Sequence, residues 1–441
     1  MKLESLFALL AQVLTFGTGL LVLPVIEALY GKELLGLWIV FISLVSLLQV
    51  AEVAFQPVIT RYMAYSLAGR SKVNPSETES TLKPVGNISD IWTVTVIIYG
   101  TIIAFASLAA FAIDQLYLSK FTWINLSTLD VSMYWLWFSL AHIMYLGTAF
   151  LNSVLYVTNN SVRANLAICL ARSMFFFGII VFYLLELGPK WFVLFYCGSV
   201  ILVRCLQLTF AISVLKSHSV TISFREVKRN LILMAKPVYL TAIAQTGSIM
   251  VNRSGLLIFS LVYGATANTN LGLTFAAYAA IMNIVFSVVH LKVPIIAKSF
   301  VVNDIGLIFS NLREIYRNSY ILFTILMFFG AVFIYAFNDR WMFSGSALLI
   351  YMFAGFVFAL ELNHSIACTV LSCKNDLVFS YPSLISGIVN VIVTVPLIYT
   401  LGEIGVILSI FLVQLAYNNW KWPTLMLAVL RKLEKDQHGK N

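Results

Sequence analysis

Three arginines lie inside long apolar segments of the chain, where a charged side chain is costly unless it faces protein or water. Arg172 and Arg204 lie roughly 10 and 15 Å from the expected membrane edge, at about 1.5 Å of rise per residue. Arg253 lies deeper in its segment, next to Asn252 and close to several glycines and serines. Small residues there permit close helix approach or a water-filled face. The arginines are therefore either functional charges or structural residues that pair with a buried acid or reach the membrane surface.

Acidic and histidine side chains inside the apolar segments are fewer. Glu361 and His364 are three residues apart and therefore share one face of a helix. Glu52 lies in the inner part of the second apolar segment. A carboxylate or an imidazole inside a membrane can bind a coupling proton or sodium ion. Glu361, His364 and Glu52 are therefore predicted to couple transport to an ion gradient; the alternative is that they are structural partners of an arginine or a carbonyl.

The motifs of common enzymes are absent from the sequence. It contains no phosphate-binding Walker loop, dinucleotide fingerprint, zinc-protease motif or serine triad. Its five cysteines have no metal-ligand spacing. A membrane-embedded glycosyltransferase or polymerase would need catalytic carboxylates or a large loop outside the membrane, and the chain has neither. We therefore expect a protein that is not an enzyme and that needs no metal or organic cofactor.

The composition is that of a membrane protein. Of the 441 residues, 60% are hydrophobic and 11% are charged. The apolar stretches are each near the ~20 residues that a helix needs to cross a bilayer. Because lipid cannot satisfy backbone polar groups, these stretches must be helices, and we predict an all-α protein with twelve spans. The spans are placed at 3–28, 34–58, 90–113, 131–157, 165–185, 191–214, 237–262, 271–291, 319–337, 347–371, 378–400 and 403–420.

The lysines and arginines predict the orientation of these spans. With both termini in the cytoplasm, 21 of the 28 basic residues fall on cytoplasmic segments, 4 fall on the other side and 3 lie inside spans. This asymmetry is typical of inner-membrane proteins, which keep positive charge in the cytoplasm. The net charge of +9 therefore indicates topology and contact with anionic lipids rather than nucleic acid.

The second half of the chain repeats the order of short motifs in the first half. Tyr30-Gly31 matches Tyr263-Gly264 at an offset of 233, and Leu35-Gly36-Leu37 matches Leu271-Gly272-Leu273 at 236. Six spans per half return the chain to the same side, so the halves are parallel repeats. We predict six-helix bundles at 1–215 and 237–420 with a cleft between them. A basic cytoplasmic linker at 216–236 and a basic tail with a short interfacial helix at 421–441 complete the organisation.

The opening third of the chain resembles a known family. Its motifs are similar to those of the polysaccharide flippases of the O-antigen (Wzx) type, which share a superfamily with the MATE multidrug exporters and the lipid II flippase. Asn252-Arg253 is similar to a pair that those flippases often carry, with an amide where many relatives have an acid. The motifs that carry the resemblance are Leu23-Pro24, Tyr30-Gly31, Gly36-Leu37-Trp38, Gln56-Pro57 and Thr60-Arg61.

The resemblance implies a function in lipopolysaccharide or capsule biosynthesis. Such flippases move undecaprenyl-pyrophosphate-linked oligosaccharides across the bacterial inner membrane, alongside a polysaccharide polymerase and a chain-length regulator. A guanidinium matches a pyrophosphate bidentately. The expected substrate-binding residues are therefore Arg253, Arg204, Arg172 and Asn252, with Lys292 at the cytoplasmic mouth. The alternative is a MATE-like exporter of drugs or cations, whose site should be acidic.

Overall fold

The computed structural model describes most of the predicted membrane-spanning chain. The ranges are 3–49, 52, 55–56, 58–60, 62–63, 88–121, 126–215, 224–302, 304–337, 347–373 and 377–438. The segment 61–89, in which Pro75, Pro84 and the polar run from Ser76 to Thr81 predict a flexible loop, lies outside the described residues apart from 62–63 and 88–89. Arg61 also lies outside them. The following structural statements concern the described residues.

Within those ranges the regular structure is helical throughout and contains no strand. Short 3₁₀ turns follow α2 and precede α8, and a π-helical turn, Gln414–Asn418, joins α12 to α13. The α-helices are α1 Leu3–Leu48, α2 Ile88–Leu116, α3 Thr128–Gly147, α4 Phe150–Val157, α5 Ser161–Leu185, α6 Pro189–Leu215, α7 Phe224–Tyr263, α8 Thr269–Val302, α9 Ile305–Phe337, α10 Ala347–Ser372, α11 Ser380–Leu401, α12 Glu403–Val413 and α13 Asn419–His438.

Where the structure describes them, the predicted spans are helical apart from short turns at Gln49, 148–149 and 378–379. In the described chain, nine helical stretches are long and apolar enough to cross a membrane. The first, Leu6–Leu48, covers most of the first predicted span and the first part of the second, and α1 bends between them at Gly31, where φ is 80°. The two other predicted spans fall on α7 and on the segment from α12 into α13. The prediction of an all-α, multi-pass membrane protein is confirmed.

The chain divides into two compact units. Unit 1 comprises Met1–Gln245 and unit 2 comprises Thr246–Asn441, so the helix α7 begins in unit 1 and ends in unit 2. Residues 224–236 of the predicted basic linker form the first part of α7 and continue directly into the seventh span. Helical backbone hydrogen bonds therefore extend from the basic segment into the apolar one, with Pro237 inside the helix.

Aromatic side chains form the centre of unit 1. The rings of Trp38 and Phe138 meet edge to face at 5.3 Å, and those of Phe41 and Trp135 lie 5.2 Å apart. The Trp135 indole also donates a hydrogen bond of 2.9 Å to the carbonyl of Ala110. The ring contacts join α1 to α3, and the hydrogen bond joins α3 to α2.

Unit 2 combines stacked rings with a close helix crossing. Tyr278 on α8 stacks against Phe358 on α10 at 4.8 Å, with an interplanar angle of 7°. The helices α7 and α11 cross at Gly247 and Gly387, where a Cβ on Gly247 would lie 2.2 Å from the Ser383 backbone. Only glycine permits this approach, which agrees with the packing role of small residues in membrane helices.

The two halves of the sequence repeat share a backbone conformation. Gly31 and Gly264 both adopt positive φ angles, 80° and 87°, and each follows a tyrosine at the junction of two predicted spans. This left-handed conformation costs a glycine little and strains other residues. The repeated Tyr-Gly pair therefore encodes a repeated change of chain direction.

The two tyrosines of the repeat also make matching hydrogen bonds. The Tyr30 hydroxyl donates to the carbonyl of Leu187, between α5 and α6. The Tyr263 hydroxyl donates to the carbonyl of Ile398 at 3.2 Å, near the end of α11. In each half the bond links the connection after the first predicted span to the end of the fifth, which supports an internal duplication.

The last helix packs on unit 2. α13 begins at Asn419, two residues before the predicted basic tail 421–441 with its short interfacial helix. Its buried side chains Trp422, Met426 and Leu430 recur every four residues, so they form one face of the helix. The basic residues that follow them lie on the exposed surface.

Large apolar side chains cover much of the exposed surface. On α2, Phe105, Leu108 and Phe111 are 68%, 67% and 69% exposed. Residues at this spacing form one side of a helix, and an apolar surface of this kind is stable in contact with lipid rather than water.

Candidate functional site

Arg204 and Glu52 form a buried ion pair inside unit 1. Arg204 Nη2 lies 3.1 Å from Glu52 Oε1, and the two side chains are only 6% and 11% exposed. Nη1 donates to Gln207 Oε1 at 2.7 Å, and Nε donates to the Tyr145 carbonyl at 3.0 Å. The guanidinium also lies over the Tyr145 ring, 3.6 Å from its centroid.

These contacts use all three guanidinium nitrogens of Arg204. Gln207 is in turn held by the Ala164 carbonyl at 3.3 Å and by Asn152 Oδ1 at 3.4 Å. The sequence reasoning missed Gln207, although its position three residues after Arg204 places it on the same helix face. The network joins four helices, α3 to α6, with Glu52, and it neutralises the charge of Arg204 within unit 1.

Arg172 lies at a cavity in unit 1. The cavity has a volume of about 370 Å³, and its lining includes Thr18, Gln49, Tyr145 and Tyr196. The Nε atom of Arg172 is buried and has no hydrogen-bond partner among the described residues. The two predicted residues therefore differ. All three guanidinium nitrogens of Arg204 have hydrogen-bond acceptors within the protein, whereas Arg172 Nε has none among the described residues.

His142 also lines this cavity, and its contacts assign a neutral imidazole. Its Nδ1 lies 2.8 Å from the Phe138 carbonyl, so Nδ1 donates to that oxygen. Its Nε2 is then the acceptor for the Tyr196 hydroxyl at 3.4 Å. A neutral imidazole leaves Arg172 as the positively charged group of the cavity lining.

Asn252 and Glu361 meet inside unit 2. Asn252 Nδ2 on α7 donates to Glu361 Oε1 on α10 at 2.9 Å. The other oxygens, Asn252 Oδ1 and Glu361 Oε2, are buried without a hydrogen-bond partner among the described residues. Asn252 was predicted to bind substrate and Glu361 to couple transport to an ion gradient, and the structure places the two side chains in contact. Glu361 Oε2 remains free to accept a proton or a hydrogen bond.

Arg253 lies beside this pair. Its guanidinium interacts electrostatically with Glu361, but it forms no hydrogen bond or close ion pair with any residue that the structure describes. Its side chain is partly accessible rather than sealed into the core. His364 is one helical turn from Glu361 and contacts the Ser365 hydroxyl at 3.5 Å. Unit 2 thus holds a guanidinium with free donors next to a partly satisfied carboxylate.

Lys292 lies at a different place in unit 2. Its Nζ is 2.9 Å from Glu314 Oε2, and the two side chains are 26% and 41% exposed. The pair links α8 to α9.

Most of the predicted site residues have partners within the protein. Glu52 is paired with Arg204, and Glu361 is hydrogen-bonded to Asn252 and lies close to Arg253. Lys292 is paired with Glu314. In the described part of the chain no group of three or more His, Cys, Asp or Glu side chains could hold a metal ion.

The fold is similar to those of solved membrane transporters. An inward-facing multidrug resistance MATE family transporter of the MOP superfamily superposes with a TM-score of 0.65 at 13% identity, over 96% of both chains. The lipid II flippase MurJ, in an inward closed conformation, superposes with a TM-score of 0.64 at 14% identity, over 98% of this chain and 88% of MurJ.

A third similar structure is a MOP superfamily transporter from Pyrococcus furiosus, described as having a binding pocket of reverse polarity. It has a TM-score of 0.50 and 16% identity over 98% of this chain and 93% of that one. No protein-family model and no curated protein sequence matches this chain. The chain therefore has the fold of MOP-superfamily transporters, a fold found in a drug exporter and in a lipid flippase.

Proposed function

We propose that the protein is a flippase for an undecaprenyl-pyrophosphate-linked oligosaccharide. It would carry this lipid from the cytoplasmic to the periplasmic leaflet of the bacterial inner membrane by alternating access. Both termini would lie in the cytoplasm, as the distribution of basic residues favours. The similarity in fold to MurJ supports a lipid-linked cargo, and the polysaccharide type of that cargo comes from the sequence resemblance.

The free guanidinium of Arg253 is the observation that carries the proposal. A partly accessible arginine inside a membrane helix, with no hydrogen bond to the described protein, needs an anionic partner during the transport cycle. A pyrophosphate offers several oxygens that match the planar guanidinium. Asn252 would hold Glu361 to one side, so that Arg253 keeps its donors for the cargo.

The other predicted residues receive different roles in this proposal. Arg204 holds the interior of unit 1 together through Glu52, and its positive charge does not act on the cargo directly. Lys292 attracts the anionic head group from the membrane surface, where its pairing with Glu314 is weak because both side chains are partly exposed. Arg172 remains a predicted contact for an anionic part of the cargo.

We further propose that Glu361 and His364 couple transport to a proton or sodium gradient. Glu361 has one buried oxygen without a partner among the described residues, whereas Glu52 is already held by Arg204. Protonation of Glu361 would leave Arg253 without its nearby negative charge and favour binding of the anionic cargo. Collapse of both gradients is expected to stop transport, and unchanged transport would contradict the coupling.

A MATE-like exporter of organic cations is the second candidate, because such an exporter has the same fold. A cation site needs carboxylates that are free to act on the substrate. Here the buried acid Glu52 is neutralised by Arg204, and Glu361 lies beside Arg253. Arg172 has no acidic partner among the described residues that line its cavity, and its positive charge favours an anionic substrate.

Deletion of the gene separates the two candidates. We expect the deletion strain to lose surface polysaccharide and to accumulate the lipid-linked precursor in its inner membrane, while its sensitivity to cationic drugs stays unchanged. Restored polysaccharide on complementation would complete the result. Normal polysaccharide together with increased drug sensitivity would instead support the cation exporter.

A further inference from the structure

The cavity of unit 1 is large enough for a small molecule. Its volume of about 370 Å³ lies in the range of about 300–1,000 Å³ that ligand pockets occupy. All of its lining residues come from unit 1, between Thr15 and Val200. The lining of the cavity is therefore formed by unit 1, and it does not include Asn252 or Glu361.

The charge of the cavity is positive and uncompensated. Arg172 is its charged residue, and no aspartate or glutamate is among the described residues that line it. Glu52, the acid of the neighbouring network in unit 1, is bound to Arg204 at 3.1 Å. A buried guanidinium nitrogen without an acceptor is unfavourable. The guanidinium of Arg172 forms no hydrogen bond with any described residue, so an anion placed in the cavity would supply acceptors to its terminal Nη atoms.

The rest of the lining suits a molecule that carries hydroxyl groups. The hydroxyls of Thr15 and Thr18 donate to their own helix at 2.7 and 2.6 Å, which leaves their lone pairs as acceptors. Gln49 adds a side-chain amide that can both donate and accept. Trp38 and Tyr196 add aromatic surface, on which the apolar face of a sugar ring can pack.

We propose that this cavity is a binding site for an organic anion of monosaccharide size, rich in hydroxyl groups and bearing one carboxylate or phosphate. Arg172 binds the anionic group, and the threonine hydroxyls and the Gln49 amide bind the hydroxyls of the ligand. A purely apolar ligand would leave Arg172 unsatisfied, and a cation would be repelled by it. The inference does not depend on a lipid-linked cargo.

Binding to the purified full-length protein tests the proposal. Calorimetric titrations in detergent would use glucuronate, glucose 1-phosphate, neutral glucose and inorganic phosphate as separate probes. We expect one of the two sugar anions, or both, to bind at a single site. Glucose is expected to bind at least about tenfold more weakly, because a hydrogen bond to a charged group contributes more than a neutral one. Inorganic phosphate, which has no sugar ring, is also expected to bind more weakly.

Two variants make the assignment specific to Arg172. Arg172→Gln is expected to weaken sugar-anion binding at least about tenfold, and Arg172→Lys, which keeps the charge, to weaken it less. Arg313→Gln, at an exposed arginine of unit 2, is the matched control and should bind as the wild type does. Size-exclusion profiles show that each variant is folded.

The proposal is overturned if neither sugar anion binds the wild-type protein. It is also overturned if folded Arg172→Gln binds the sugar anions as tightly as the wild type does. Inorganic phosphate that binds as tightly as the sugar anions would exclude recognition of the sugar. Because these titrations contain no lipid-linked substrate, their outcome is independent of any test of flipping.

Discussion

Replacement of Arg253 by alanine is expected to lower the flipping rate about 10- to 100-fold, since hydrogen bonds to a charged partner are worth about 1.5–3 kcal/mol. The variant loses the donors that the pyrophosphate requires, and the other described neighbour that acts on Glu361, Asn252, carries no charge to replace them. Surface polysaccharide in a complemented deletion strain provides the measurement, with protein abundance checked by immunoblot.

Two further variants control the Arg253 experiment. Arg253→Lys keeps the charge without the planar fork and should restore part of the polysaccharide. Arg431→Ala removes an exposed arginine from α13 and should restore all of it. Full restoration by both Arg253→Ala and Arg253→Lys would remove the proposed contact with the pyrophosphate.

Loss of either partner of the buried Glu52–Arg204 pair should destabilise the protein by about 3–5 kcal/mol, because the remaining charge is left uncompensated in the interior. We expect Glu52→Ala and Arg204→Ala to unfold at a clearly lower temperature than the wild type. The double variant should lose less than the sum of the single losses, since it contains no unpaired charge. Thermal unfolding in detergent measures all three.

The Lys292–Glu314 pair is a matched control within the same chain. Its two side chains are 26% and 41% exposed, so solvent screens their interaction. Lys292→Ala should therefore cost less than about 1 kcal/mol. Equal losses for Arg204→Ala and Lys292→Ala would show that burial does not set the strength of these pairs, and would contradict the structural role proposed for Arg204.

The helical architecture could be predicted from the sequence because lipid imposes it. In the described residues the predicted spans are helical over nearly their whole length, since an apolar stretch in lipid must satisfy its own backbone. The repeated Tyr-Gly pair also predicted a repeated structural element. The backbone bends in the same way at both pairs, since Gly31 and Gly264 both adopt positive φ angles. The continuity of α7 from Phe224 was not predicted, because a basic stretch before a proline resembles a separate surface segment.

The partners of the buried charges could not be predicted in the same way. Glu52 and Arg204 are 152 residues apart, and only the packing of unit 1 brings them together. Asn252 and Glu361 are 109 residues apart and meet between α7 and α10. The sequence therefore predicted which residues were unusual, whereas the structure was needed to distinguish the saturated Arg204 from Arg172 and Arg253.

The central claim, that the protein moves a lipid-linked oligosaccharide across the membrane, is tested most directly in reconstituted vesicles. The measurement follows how quickly a labelled undecaprenyl-pyrophosphate-linked oligosaccharide in the inner leaflet becomes accessible to a quencher outside, with proton and sodium gradients imposed. The account predicts rapid exposure with the wild type and slow exposure with Arg253→Ala. Exposure no faster with the wild type than in protein-free vesicles, under both gradients, would contradict it.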